Sequence, residues 1–449
     1  MSQAWRVSEQ ESRTRTILIV ILALALAIRL ATILATPGYE PAFDSGDYVR
    51  HAQSIADGNG FPESIFTTSE SPSAFRPPLY PYLLGSVYAV FGDNAGADAG
   101  RVVGALLGVL IVYLVFLIGR ALWGSRVGLW SAGLAAVLPP LAFLNEALIS
   151  EPLFVAIELG VVLAALTARR ADGDWRLAAA AGVLCGLAAL TRSNGILLVI
   201  PAVIGVWVGR PWLSRRALAA PVAVVAAAGL TVLPWTVRNT LEFDQLVPFS
   251  TQSGFAMAGA FNDEARTFPG YPATWALPQE TERYRAIYAR TDLDEAELDQ
   301  ELRSESVEYM IDHPGYVVEA TVRNTLRTLG LMGLEPSSRE ADENQLGLSE
   351  ATGNAVRVSY YVLAILALVG VFTLWRWRRA AGRDWWIWLV PVLAVLAAVW
   401  VIASTRYRVP AYPFMIFLAA IGIVDLLERR SRSDSGGPRR DDDGGLPTA

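Results

Sequence analysis

Residues 17–35 read ILIVILALALAIRLATILA, a run of 19 positions with a single charge. As a helix it extends roughly 28 Å, close to the hydrocarbon thickness of a bilayer. The run is too long for a cleavable signal and lacks a small-residue cleavage pattern followed by a soluble domain, so it reads as a signal anchor. Further apolar runs of spanning length follow at about 102–120, 127–145, 152–169, 177–191, 194–208, 217–236, 357–375, 386–404 and 409–427. The stretch 177–208 reads either as a short pair or as one broken helix. With 53% hydrophobic residues over 449 positions, the chain exceeds what a soluble core needs. The expected fold is an all-α polytopic membrane protein of about ten transmembrane helices, with extracytoplasmic loops and juxtamembrane helices.

Orientation follows from arginine, because the chain contains no lysine. Arg6, Arg13 and Arg15 precede the first span, and Arg120 and Arg126, Arg169, Arg170 and Arg176, Arg210, Arg215 and Arg216, Arg376, Arg378, Arg379 and Arg383, and Arg429 and Arg430 fall at every second junction thereafter. The positive-inside rule puts these junctions and both termini in the cytoplasm of a plasma-membrane protein, which requires an even number of spans. The net charge of −6 hides this sorting. The chain divides into an N-terminal membrane core (1–236) with a first external loop (36–79), an extracytoplasmic region (237–356), C-terminal spans (357–427) and a disordered cytoplasmic tail (428–449).

Four polar segments therefore share the outer face: 36–79, the turn at 145–154, the bend LTRSNG at 190–195, and 237–356. The first contains PAFDSGDYVRHAQSIADGNGF (41–61) and AFRPPLYPYLLG (74–85), which set Asp44, Asp47 and Arg76 against the membrane surface. The run 79–91 is too short to span and rich in aromatics, so it reads as a juxtamembrane helix. Residues 281–313 have helical spacing and mixed charge, as a solvated helix does. Cys185 is the single cysteine, so there is neither an intrachain disulfide nor a thiolate cluster, and a small buried side chain accounts for it. No Walker A sequence, dinucleotide fingerprint, zinc-ligand spacing or basic aromatic patch for nucleic acid appears.

Several ordered motifs resemble the GT-C membrane glycosyltransferases, of the branch containing protein O-mannosyltransferases and lipid A aminoarabinose transferases (family 39/83 type). They are Asp44-Ser-Gly-Asp47-Tyr48, RPPLYP at 76–81, a small-residue helix opening with Arg101, and ISEPLF at 149–154. GLAALTR at 186–192, LPWTVRN at 233–239, HPGY at 313–316 and TRYRVPAYP at 405–413 complete the set. The resemblance runs from Ile17 to about Leu427. It implies a GT-C bundle that transfers a sugar, hexosyl or pentosyl, from a polyprenyl-phosphate donor to a glycan, lipid or protein acceptor at the outer face, with inversion. Such chemistry needs a carboxylate to take the proton of the attacking hydroxyl and fixed cations for the departing phosphate.

On that resemblance Asp44 is the first choice for general base and Asp47 the second. An aspartate here also suits the cap of a helix starting near Gly46. Glu151 matches a second acidic position that orients the acceptor or stabilises the oxocarbenium-like centre, although a charge at a helix-to-helix turn explains it too. Tyr48 belongs with the substrate-binding residues, as do Arg76, Arg192, Arg238, Arg406 and Arg408 as phosphate ligands. Interfacial snorkelling accounts for any single one of these arginines. Arg29 and Glu158 lie deeper within spans, where a structural ion pair or a substrate role would suit them. A divalent cation is left open: Phe75 stands where aminoarabinose transferases carry an acidic metal ligand, and Asp47 with His51, one turn on, is a weak candidate pair. A secondary transporter would show inverted repeats, which are not evident. A GT-C polysaccharide ligase or polymerase would place its key residues in a long late external loop.

Overall fold

The computed structural model describes residues 3–68, 70–144, 147–209, 211–376 and 384–434. Asn145 and Glu146 of the second external turn, Arg210, Arg378, Arg379 and Arg383 of the orientation series, and the tail from 435 onward lie outside the described residues. The described chain is helical, its one β-bridge joining Glu63 and Pro72. The N-terminal half comprises α1 (Gln3–Ala35), α2 (Asp44–Ala56), α3 (Leu79–Phe91), α4 (Asp93–Trp123), α5 (Ser125–Val137), α6 (Pro139–Leu144), α7 (Glu151–Arg170), α8 (Trp175–Thr191), α9 (Val199–Val206) and α10 (Arg215–Phe243). The segment 237–356 holds α11 (Ser253–Ala260), α12 (Asp263–Arg266), α13 (Glu282–Tyr288), α14 (Glu295–Asp312), α15 (Pro314–Thr328) and α16 (Pro336–Gln345). Three helices close the chain: α17 (Glu350–Arg376), α18 (Leu389–Val399) and α19 (Tyr412–Asp434).

Six helices are long and apolar enough to cross a membrane, among them α1, α4, α7, α10 and α17. The sixth begins at Thr405 in a 3₁₀ turn and continues as α19. The span expected at 127–145 is broken into α5 and α6, because Pro139 and Pro140 interrupt it and hold Leu138 extended. The stretch 177–208 is a pair: α8 ends at Thr191, Arg192 is extended, and a 3₁₀ turn leads into α9. The segment 281–313 is also two helices, α13 and α14, the second opened by a capping box between Asp294 and Glu297. Leu298, Leu302 and Tyr309 are buried, so α14 packs as well as solvates. At the C-terminus α19 continues to Asp434, past the start of the expected tail.

Packing in the bundle depends on small residues, since lipid offers no hydrophobic drive between helices. α8 lies against α10 at Gly182 and Gly186, where an added Cβ would collide with the backbone of Val224 and with Thr231. α17 meets α19 at Gly370, against the backbone of Leu418. Arg29 is buried in α1 and donates to the carbonyls of Ala25 (3.0 Å) and Ala136 (3.3 Å), tying α1 to α5. It does not form the ion pair with Glu158 that the sequence allowed, because both Glu158 carboxyl oxygens lack a hydrogen-bond partner. The helix order brings the C-terminal ends of α1 and α8 and the N-terminal ends of α7 and the Thr405 turn to the same end of the bundle, beside α2 and α16.

Candidate functional site

At that end three carboxylates meet the guanidiniums of Arg76, Arg192 and Arg406 in one cage, with Arg50 on Asp47 at its rim. α2 starts at Asp44, two residues before the expected Gly46, and neither aspartate acts as its side-chain cap. The preceding Phe43 adopts φ 52°, a left-handed conformation costly for a bulky side chain. This strained residue turns the chain so that Asp44 and Asp47 open the helix on one face, where negative charge also suits the helix dipole. Tyr48 and His51, on the same stripe of the helix, and the neighbouring Ala52 are buried beneath them.

Arg76 spans the two aspartates: its Nη2 donates to Asp44 Oδ1 at 2.8 Å and its Nε to Asp47 Oδ2 at 2.6 Å. Its guanidinium also lies 4.9 Å from the Tyr48 ring centre. Arg406 spans the cage in the other direction. Its Nη1 donates to Asp44 Oδ2 at 2.9 Å and its Nε to Glu151 Oε1 at 2.9 Å. Arg192 reaches the same Glu151 oxygen at 2.9 Å and Ser150 Oγ at 3.3 Å, and Tyr48 OH donates to Ser150 Oγ at 3.0 Å. Asp44, Asp47, Glu151, Tyr48, Arg76, Arg192 and Arg406, separated by up to 362 positions, thus meet in one network. Asp44 is its open member, with 36% of its side chain exposed against 2% for Glu151.

Burial pushes the Asp44 carboxyl up, but the adjacent Arg76 and Arg406 guanidiniums more than reverse this and hold it well below the usual carboxylate range. Asp47 behaves alike, burial being outweighed by its contacts with His51 and Arg76. Both are therefore ionised at neutral pH.

Two expected phosphate ligands stand elsewhere. Arg408 is two residues beyond Arg406 in a 3₁₀ turn of three residues per turn, so the two side chains leave it in different directions. Its guanidinium stacks 3.7 Å from the Tyr360 ring centre and donates to Tyr412 OH at 2.9 Å, away from the carboxylates. Arg238 donates to the carbonyls of Ser73 and Pro72, both at 3.2 Å, and stacks on Trp235. It clamps the strand of chain leading to Arg76. Glu295 grips the same segment, accepting from Ser73 Oγ at 2.7 Å and Ala74 N at 2.8 Å. Arg101 fixes the start of the loop 36–79 through the Thr36 carbonyl at 3.1 Å and the Tyr39 ring.

Sequence reading missed the supports of Arg406. Asp342 accepts from Ser404 Oγ at 2.9 Å and from Thr405 N at 3.1 Å, and Gln345, one turn later in α16, accepts from Arg406 Nη1. Their only signal was a polar helix opened by Pro336, which looks like any solvated helix.

The donor set does not fit a resident divalent cation. His51 Nδ1 donates to the Asp47 carbonyl at 2.8 Å, and its ring packs edge-on against Phe61 with Nε2 unpartnered. Asp47 is already occupied by Arg76 and Arg50. Among the described residues no three His, Cys, Asp or Glu side chains converge as ligands.

The fold of this bundle is similar to that of solved membrane proteins. The archaeal oligosaccharyltransferase AglB from Archaeoglobus fulgidus, in complex with an inhibitory peptide and a dolichol-phosphate, aligns with TM-score 0.56 at 13% identity, over 96% of this chain and 53% of that one. The apo form of the Archaeoglobus fulgidus oligosaccharyltransferase gives 0.56 at 15%, over 95% and 52%. ArnT from Cupriavidus metallidurans bound to undecaprenyl phosphate gives 0.42 at 15%, over 93% and 79%. The chain thus spans about half the length of the oligosaccharyltransferases it matches. No curated protein matches it in sequence. The chain has the GT-C fold of membrane glycosyltransferases. Within it, residues 75–236 match the family described as dolichyl-phosphate-mannose-protein mannosyltransferase.

Proposed function

We propose that the protein is a glycosyltransferase that moves a sugar from a polyprenyl-phosphate donor to an acceptor hydroxyl at the outer face of the membrane, with inversion. The observation that carries this reading is Asp44, ionised, solvent-facing and bracketed by Arg76 and Arg406. A base and cations for a leaving phosphate are the groups such a transfer needs, and here they lie within one hydrogen bond of each other.

In this mechanism the acceptor oxygen attacks the anomeric carbon from the face opposite the phosphate. The bond from that carbon to the phosphate oxygen breaks, and its electron pair leaves on the phosphate. The hydroxyl proton passes to Asp44. A carboxylate held by two arginines is a weak base, so proton transfer comes late, when the forming bond has made the hydroxyl acidic. Arg76, Arg192 and Arg406 receive the developing phosphate charge, and Glu151 faces the positive anomeric centre. Asp47 orients Arg76. The acceptor class, whether glycan, lipid or protein, is set outside the cage.

Two measurements test the reading. Mass spectrometry of cell-envelope glycans and lipid-linked sugars in a deletion strain should show loss of one glycan modification and accumulation of its lipid-linked donor. Asp44→Asn should reduce turnover of that donor by native membranes roughly 100-fold or more, while labelled polyprenyl phosphate still binds. Near-normal turnover by a folded Asp44→Asn protein would remove the base assignment.

A further inference from the structure

Two buried polar atoms in the cage have no partner: Glu151 Oε2, an acceptor, and Gln345 Nε2, a donor. Glu151 and Gln345 are 1% and 4% exposed, so water does not solvate them from bulk. Their orientation is dictated by Arg406, which can only donate. Its Nε binds Glu151 Oε1 and its Nη1 binds Gln345 Oε1. The amide must therefore turn its oxygen to the guanidinium and its NH₂ away. One guanidinium thus fixes an unmet acceptor and an unmet donor, and the same guanidinium touches the open Asp44. Leaving such groups unmatched is unfavourable, and a ligand offering the complementary pattern relieves it.

We propose that Glu151 Oε2 and Gln345 Nε2 together read one hydroxyl of the donor sugar, and that the sugar is neutral at that position. This rests on the reading that the cage holds a sugar-phosphate donor. A hydroxyl gives its hydrogen to Glu151 Oε2 and accepts from Gln345 Nε2, satisfying both atoms. An ammonium donates but cannot accept, leaving Gln345 Nε2 unmet beside Arg406 and Arg192, both of which repel it. The pair therefore discriminates against amino sugars as well as deoxy sugars. Gln345 is the last residue of α16, and the segment that carries it lies between Gly330 (φ 70°) and Gly347 (φ 64°). Tyr39 OH donates to the Gln345 backbone carbonyl at 3.2 Å and holds the residue in place beside Arg406.

The test uses the full chain in lipid nanodiscs and displacement of labelled polyprenyl phosphate. The competitors are polyprenyl-phosphate hexoses, each singly deoxygenated or singly aminated, and unlabelled polyprenyl phosphate. For the wild type, one ring position should lose at least about tenfold in affinity on either change, one unmet hydrogen bond being the difference. Gln345→Leu should weaken the parent donor by about the same factor, leave the matching deoxy donor unchanged, and leave polyprenyl phosphate within about twofold. Gln345→Glu, which still accepts from Arg406, should shift preference toward the aminated donor. If Gln345→Leu weakens parent, deoxy donors and polyprenyl phosphate in step, Gln345 only props Arg406 and the inference falls. If the wild type does not bind polyprenyl phosphate at all, the functional reading fails first, and that result is distinct.

Discussion

Replacing Arg406 by alanine removes the one side chain that contacts Asp44, Glu151 and Gln345 together. Glu151 would then keep only Arg192 on Oε1 at 2.9 Å, with Oε2 already unpartnered, in a site where its side chain is 2% exposed. A buried charge stripped of its partner costs about 3–5 kcal/mol, and the remaining Arg192 contact places Arg406→Ala near the lower end, at about 3 kcal/mol. Asp44 adds less than about 1 kcal/mol, because its side chain is 36% exposed and water takes over from the guanidinium. Glu151→Gln removes the charge that is stranded, so the double variant should recover about 2 kcal/mol relative to the sum of the single changes. Urea unfolding in mixed lipid and detergent micelles, followed by fluorescence of the 14 tryptophans, reads both numbers. A cost below about 1 kcal/mol for Arg406→Ala, or strict additivity in the cycle, would refute the bridging role.

Three further outcomes are expected. Arg76→Ala should weaken polyprenyl phosphate binding by about 1.5–3 kcal/mol, with Lys restoring part of it. Arg408→Ala and Arg238→Ala should lower thermal stability without changing that affinity beyond about twofold, since their guanidiniums serve Tyr360 and the Pro72 and Ser73 carbonyls; equal losses in binding at all three would return Arg408 and Arg238 to the phosphate site. For pH, Asp44 and Asp47 have folded pKa values below their unfolded ones, so their stabilisation is complete above the usual carboxylate pKa of about 4 and fades as pH falls through the lowered folded values. Thermal melts of wild type against Asp47→Asn should therefore differ by a constant amount from about pH 5 to 8 and converge only in stronger acid; convergence near neutrality would contradict the cage. In a Cys185→Ser background, a cysteine at Thr291 should react with an impermeant maleimide from outside intact cells and one at Arg170 should not; the reverse pattern would invert the topology.

The bundle was legible because its signal is redundant: many apolar residues in each of ten runs say the same thing. The carboxylate and arginine cage was legible in part, through Asp44, Asp47, Glu151, Arg76, Arg192 and Arg406. Where Arg408 stands was not legible, because the 3₁₀ turn sends it and Arg406 apart and brings it to Tyr360. The contacts of Arg238 were not legible either, because a guanidinium that clamps backbone carbonyls has the same composition as one that binds phosphate. Asp342 and Gln345 were invisible because their meaning is supplied by Arg406, far along the chain, and no local pattern encodes that meeting. The break at Leu138 shows the same limit, since hydropathy averages over the prolines that divide a span, whereas the division near Arg192 was one of the two readings the sequence offered.

The contact of α8 with α10 through Gly182 and Gly186 leaves no room for a side chain between the helices. α8 ends in Arg192 and α10 carries Arg238, one gripping Glu151 and the other the chain behind Arg76. Backbone pressed on backbone cannot slide by a methyl's width without collision, so these two arginines stand on a common stiff footing. The opposite wall, α16, is held through side chains instead: Asp342 on Ser404 and Thr405, Glu343 on Arg357, and the Gln345 carbonyl on Tyr39 OH. The two walls are thus built differently, one on backbone contact and the other on polar side-chain contacts, so a substitution on α16 alters one wall without touching the packing of α8 on α10.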